Sequence, residues 1–269
     1  LLCRADRPIE EDERRKIALF CNIDDDKVIP ALDARSIYEV PLTYHKEGLD
    51  SAVMDYFKID EEKELDLSIC ENSVKRIKEP EGKVTIGIVG KYTSLSDSYK
   101  SLNEALTHGG VANNVRVKLK FINAEDLEHD GAELHLSDVQ AVLVPGGFGE
   151  RGAEGKIAAV KFARENKVPY LGICLGMQMA VLEAARNLCG IEGANSTEFP
   201  NCKVPLIAMI SEWAKDGKIE LRDENTDKGG TMRLGAYDAK LTAGSLAAQV
   251  YGSEEISERH RHRYDVDID

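Results

Sequence analysis

From residue 84 onward, short apolar runs alternate with amphipathic stretches. VTIGIV (84–89), AVLV (141–144) and VPYLGI (168–173) are near-continuous apolar runs, the pattern of strands buried on both faces, while VRVKLKFI (115–122) alternates with period two. Between them, 97–108, 155–166 and 177–188 read as helices, the first stopped by Gly109 and Gly110. Strands and helices in alternation predict an α/β fold with a mostly parallel sheet flanked by helices. After Asn195 the rhythm changes to strands and turns, with a turn and strand at 229–235, a helix at 245–251, and the string RHRHRYDVD at 259–267.

The first 59 residues have a different texture. Residues 8–22 predict a helix, with Pro8 in the first turn, acids crowding the N-terminal end, and Ile17, Leu19 and Phe20 on an apolar side. Val28–Pro30 and Ser36–Val40 read as short extended pieces, and 42–57 as one helix with Leu49, Val53 and Phe57 at i, i+4 and i+8. Charge dominates 58–82, which ends in a Pro–Gly stretch and reads as a linker or an outer helix. The expected division is therefore a first domain at 1–59, a linker at 60–82 and a second domain at 83–269.

Composition narrows the function. Hydrophobic residues make up 42% of the 269, enough for a sizeable core. Thirty-five basic against 48 acidic residues leave a net charge of −13, which argues against a nucleic-acid surface. The six cysteines (Cys3, Cys21, Cys70, Cys174, Cys189, Cys202) have neither C-x-x-C spacing nor a framework pattern, so reduced thiols in the cytoplasm are expected. No apolar run approaches the roughly 20 residues of a membrane span, and the N-terminus lacks a signal peptide's order of regions, so no membrane partner is expected. The missing initiator Met leads us to expect a piece of a longer chain.

Chemistry concentrates in PYLGICLGMQMAV (169–181), where a strand runs into Gly172, Cys174 and Gly176 and a helix follows at once. Small residues around a reactive one in a strand-to-helix turn have the shape of a nucleophile elbow. The thiolate is the nucleophile, and a helix N-terminus is expected to lower a thiol's pKa. The plain alternative, a small buried cysteine at a strand–helix junction, fits the spacing equally well. In RHRHRY, His260 and His262 share a strand face. They could serve a metal or a basic patch, but no further ligand accompanies them and no metal site is expected.

With PGGFG (145–149) one strand–helix–strand unit earlier, GICLGMQ resembles the class I glutamine amidotransferases. The resemblance implies Cys174 as nucleophile, backbone oxyanion donors at Gly147 and Leu175, and glutamine contacts from Gly176, Met177 and Gln178. NSTEF (195–199), GGTMRLG (229–235) and RHRHRY (259–264) further resemble the CTP synthase family, which carries glutamine's amino group onto Glu198 and its carboxylate onto Arg263. ERRKIALFCNI and SIYEVPLTYHKEGLD resemble the end of that family's synthetase (amidoligase) domain, the tail of a second α/β domain. There Lys16 would contact UTP or inhibitory CTP, and Leu32, Asp33 and Ala34 the adenine of ATP. Arg151 falls in a stretch resembling a lid linked to GTP activation.

The family activity this implies is glutamine hydrolysis supplying ammonia for ATP- and Mg2+-dependent amination of UTP to CTP, in a homo-oligomer. No cofactor is expected on this chain alone. The family's base and orienting acid lie in a His-Pro-Glu string; none of the six histidines here is followed by Pro-Glu, so low turnover is expected. Alternatives are a glutaminase domain of another synthetase (GMP, anthranilate or carbamoyl phosphate), a γ-glutamyl hydrolase, or a catalytically incomplete regulatory or interaction fragment.

Overall fold

The computed structural model describes residues 1–59, 65–91, 96–210, 212–215, 218–221 and 232–266. The chain divides into two compact units, 1–83 with 102–117, and 84–101 with 118–269.

In the first unit, β1 (Leu2–Ala5) pairs in parallel with β2 (Ile29–Leu32), and α1 (Glu11–Cys21) lies between them in sequence. A capping box between Glu10 and Glu13 starts α1, satisfying N–H groups that a helix end leaves orphaned. Ala18, Val28, Ile29 and Ala31 are buried. Ser36–Val40 is not extended. The Ser36 hydroxyl accepts the Tyr38 N–H at 3.3 Å, starting a 3-10 turn at Ile37–Glu39 that leads into α2 (Val40–Lys46). The single helix expected at 42–57 is two, because the chain breaks at Gly48 (φ 78°) before α3 (Leu49–Phe57). The stretch read as a linker or an outer helix holds a helix, α4 (Ser68–Lys78), whose Val74 is buried.

Next come β3 (Gly82–Gly90), α5 (Lys100–Ala112) and β4 (Val115–Asn123). Gly109 and Gly110 do not stop α5. A Cβ on Gly110 would lie 2.7 Å from the Val115 carbonyl oxygen, so glycine lets the chain return closely under the helix. The turn comes instead at Asn114, with φ 54°.

The second unit continues with α6 (Ala124–Asp130), α7 (Ala132–Leu136), β5 (Ala141–Val144), α8 (Ala153–Glu165), β6 (Tyr170–Gly172) and α9 (Leu175–Asn187). The central sheet has strand order β4-β3-β5-β6, with β3, β5 and β6 parallel. One apolar cluster joins Val89, Ile122, Leu136, Val142 and Val144 to Ala159 and Phe162 of α8. A second joins Ile157 and Val160 of α8 to Leu175, Met179 and Leu182 of α9. It extends to Phe199 and to Ile207 of a smaller sheet.

That sheet has order β13-β8-β7, from β7 (Ala194–Ser196), β8 (Val204–Met209) and β13 (Tyr264–Val266). Hairpins β9 (Glu212–Lys215) with β10 (Lys218–Leu221), and β11 (Arg233–Lys240) with β12 (Glu255–His262), are antiparallel, and α10 (Leu246–Tyr251) joins the second pair. Residues 229–231 of the expected turn lie outside the described residues.

Candidate active site

Neighbouring parallel strands β5 and β6 end side by side, Val144 opposite Gly172, and both chain exits carry glycine-rich turns. Ligands in open α/β sheets gather at such carboxyl ends. The Val144 carbonyl accepts the Ile173 N–H at 3.0 Å, which holds the second exit beside the first.

Cys174 follows with φ 55° and ψ −108°, a conformation that costs a non-glycine residue of order 1–3 kcal/mol and persists only where its surroundings impose it. They do so here. A Cβ on Gly172 would lie 2.5 Å from the Gly176 carbonyl, and one on Gly176 would lie 2.1 Å from the Val144 carbonyl oxygen, so no larger residue fits either side of the turn. The Tyr170 hydroxyl donates to the Gly176 carbonyl at 2.7 Å, fastening the first turn of α9 back onto β6. Cys174 thus stands half-buried at the N-terminus of α9.

Burial pushes the Cys174 thiol up, and the Glu198 and Asp265 carboxylates add to that rise; backbone N–H groups of Leu175 and Gly147 act against it by favouring the thiolate. The net direction corrects the expectation of a lowered thiol pKa. Two backbone amides do not offset desolvation when the nearby side-chain charges are negative. Both N–H groups lie within hydrogen-bond reach of the sulfur.

The other residues singled out in the sequence divide into two groups. Glu198 is brought to the Gly-rich turn, where its Oε1 accepts the Gly149 N–H at 2.7 Å. The Leu175 side chain is buried in the core, so only its backbone faces Cys174, and Gly176 is buried while Met177 is partly exposed. Gln178 is 3% exposed and its Nε2 donates to the Tyr264 carbonyl at 2.8 Å, tying α9 to β13. Arg263 sits at the junction of β12 and β13, one residue from that tie, and its carbonyl accepts the Ile210 N–H at 2.9 Å.

Arg151 is exposed in the loop before α8, its Nε 3.9 Å from Glu125. In the first unit, Lys16 is an exposed lysine on α1, and Leu32, Asp33 and Ala34 lie at and beyond the end of β2, with Asp33 paired to Arg4. His260 and His262 face each other, Nδ1 to Nδ1 at 3.2 Å.

Two lysines escaped the sequence reading. Lys91, just after β3, donates to the carbonyls of Phe148 at 2.7 Å and Gly149 at 3.2 Å. Lys156 of α8 is buried, with Lys91, Arg151, Glu128 and Glu198 as its charged neighbours. The one available signal was position, since Lys91 follows an apolar strand adjacent to the one that carries PGGFG.

Comparison with known proteins agrees over the whole chain. The family model "Glutamine amidotransferase class-I" matches residues 94–269, and "CTP synthase N-terminus" matches residues 1–59. A CTP synthase of Azospirillum brasilense is 59% identical over 271 residues, covering 100% of this chain and 50% of the relative. One of Acidiphilium cryptum is 58% identical over 269 residues with the same coverage, 100% and 50%. The chain therefore spans about half the length of the curated relatives it matches. The solved glutaminase domain of a Trypanosoma brucei CTPS with bound acivicin superposes with a TM-score of 0.59 at 37% identity, covering 68% of each chain.

Proposed function

The chain belongs to the CTP synthases, whose glutaminase part is a class I glutamine amidotransferase, and on that premise we propose that Cys174 attacks the side-chain amide of glutamine, the ammonia released serving amination of UTP to CTP. One observation carries this: a cysteine held at φ 55° on a helix N-terminus, with the N–H groups of Gly147 and Leu175 turned to its sulfur.

The sulfur adds to the amide carbon, and the amide oxygen takes up the negative charge against those two N–H groups. As the oxyanion collapses the C–N bond breaks, the proton given up by the thiol goes to the nitrogen, which leaves as ammonia, and water opens the thioester to glutamate and the free thiol. Glu198 retains an oxygen for glutamine's ammonium, and Arg263, flanking the β13 tie, is the proposed carboxylate anchor, a bidentate use suited to guanidinium. No residue of this chain is assigned as the base. His260 and His262 engage each other, and no histidine precedes Pro-Glu.

Acivicin bound to the trypanosomal glutaminase domain supports a glutamine-type pocket at the matching fold. ATP supplies the phosphoryl group that activates UTP, with Mg2+. Of that machinery this chain offers Lys16, exposed on α1, as the proposed UTP or CTP contact, and Leu32, Asp33 and Ala34, at and beyond the end of β2, as the proposed adenine contacts. Arg151, exposed beside the Gly-rich loop, is the proposed contact for activating GTP. A cytoplasmic homo-oligomer is the proposed setting. Among the described residues no helix is long and apolar enough to cross a membrane.

The test is made in the full-length protein. Cys174→Ala should lower ammonia release from glutamine by at least about 1,000-fold while CTP formation from free ammonia persists. Arg263→Ala should raise the KM for glutamine, a loss on the order of 2–3 kcal/mol, and likewise spare the ammonia-dependent reaction. Glutamine use surviving in Cys174→Ala would contradict the proposal.

A further inference from the structure

PGGFG has to hold one N–H, that of Gly147, against the Cys174 sulfur, yet two consecutive glycines leave its backbone with wide conformational freedom. Pro145 restricts the entry to the turn, since its ring fixes φ. The exit is restrained by charge. The peptide unit joining Phe148 to Gly149 is held at both ends: Lys91 Nζ donates to its carbonyl at 2.7 Å, and Glu198 Oε1 accepts its N–H at 2.7 Å. A second bond from Lys91 to the Gly149 carbonyl, at 3.2 Å, holds the next peptide as well. Charge-assisted bonds on both poles of one peptide dipole oppose its rotation, and so anchor the chain two peptide units beyond the Gly147 N–H, with only the Gly147–Phe148 peptide left between anchor and donor.

Resting on glutamine hydrolysis at Cys174 as proposed above, the geometry points to Lys91 as a positioning residue of the oxyanion hole: it clamps the Phe148–Gly149 peptide against Glu198 and so keeps the Gly147 N–H aimed at the reacting carbon's oxygen. Lys91 touches neither the sulfur nor a proton in transit. It acts through the loop. The clamp also gives Glu198 two duties on separate oxygens, since Oε1 is committed to the loop and Oε2 remains for substrate ammonium.

The experiment compares wild type, Lys91→Met and Lys91→Arg in the full-length enzyme, with three readouts. The first is steady-state ammonia release from glutamine. The second is inhibition by the γ-aldehyde of glutamate, whose carbonyl adds the thiol to give a thiohemiacetal and so uses the oxyanion donors. The third is alkylation of Cys174 by iodoacetamide, a displacement at carbon that needs no such donors.

Lys91→Met should lower kcat about 10- to 100-fold with KM within about threefold, a smaller loss than deleting a donor outright. Aldehyde inhibition should weaken by a similar factor, iodoacetamide alkylation should stay at the wild-type rate, and Lys91→Arg should restore part of kcat. Two outcomes overturn the inference: a Lys91→Met enzyme with kcat within about twofold of an active wild type, or one in which alkylation falls in step with kcat, as general unfolding would produce. A wild-type enzyme that releases no ammonia from glutamine overturns the parent proposal and this inference with it.

Discussion

Lys156 lies on α8 with 2% of its surface exposed, and burial lowers its pKa to about 8; Lys91 and Arg151 act in the same direction, while Glu128 and Glu198 oppose them. A lysine whose folded pKa falls below its unfolded value of 10.5 binds fewer protons folded than unfolded between those two values. Stability therefore rises with pH across that window, and below it the buried charge is a standing cost. Lys156→Met should raise the denaturant midpoint at pH 7 by the equivalent of about 1–3 kcal/mol. It should also flatten the rise in stability between about pH 8 and 10.5. A loss of stability on the same substitution would show that Glu128 and Glu198 more than repay the burial.

The residue scale also marks where sequence reading stops. Cys174 is legible because strand, small residues and helix are adjacent in the chain, and that adjacency is the elbow. Its raised pKa is not, because Glu198 and Asp265 come from distant segments and only folding brings their charges near. Lys156 is invisible for the same reason, and Lys91 is marked in the sequence only by its place after an apolar strand.

Between elements, α8 and α9 are tied by a dense polar link. Arg164 Nε lies 3.1 Å from both oxygens of Glu183, its Nη2 donates to Oε1 at 2.8 Å, and Asn187 Nδ2 adds a bond at 3.1 Å. Glu183 is 1% exposed, so removing its partner strands a charge in the interior. Arg164→Ala should destabilise by about 3–5 kcal/mol, and replacing both residues with apolar ones of similar volume should recover most of that. Chemical denaturation of the two variants separates the cost of an orphaned charge from the value of the pair; equal loss in both would mean that packing, not charge, is at stake.

Helices and strands were legible where hydrophobic period and length agree, as in the apolar runs of β3 and β5 and the stretch that forms α9. They were not legible where a tertiary contact overrides a local signal. Gly110 reads as a stop, yet it lets the chain fold back against Val115, and the periodic pattern across 42–57 conceals a break at Gly48. The charge of 58–82 leaves linker and outer helix equally open in the sequence, and the burial of Val74 on α4 decides for the helix.

At the scale of the whole molecule, the α/β alternation and the paired motifs PGGFG and GICLGMQ point the same way as the family matches over 1–59 and 94–269. The division into units was less legible, because residues 102–117 join the first unit although they follow β3 in the chain. The proposed glutamine chemistry converges on one sulfur, and the six thiols provide an internal control. Cys21 and Cys189 are exposed, whereas Cys174 is only half-buried at the elbow, so simple accessibility would favour the first two. The most direct measurement is treatment of the full-length protein with acivicin, with and without glutamine, followed by peptide mapping of all cysteines. A single adduct on Cys174 that glutamine suppresses is the predicted result; adducts that fall on Cys21 and Cys189 in proportion to exposure, indifferent to glutamine, would contradict it.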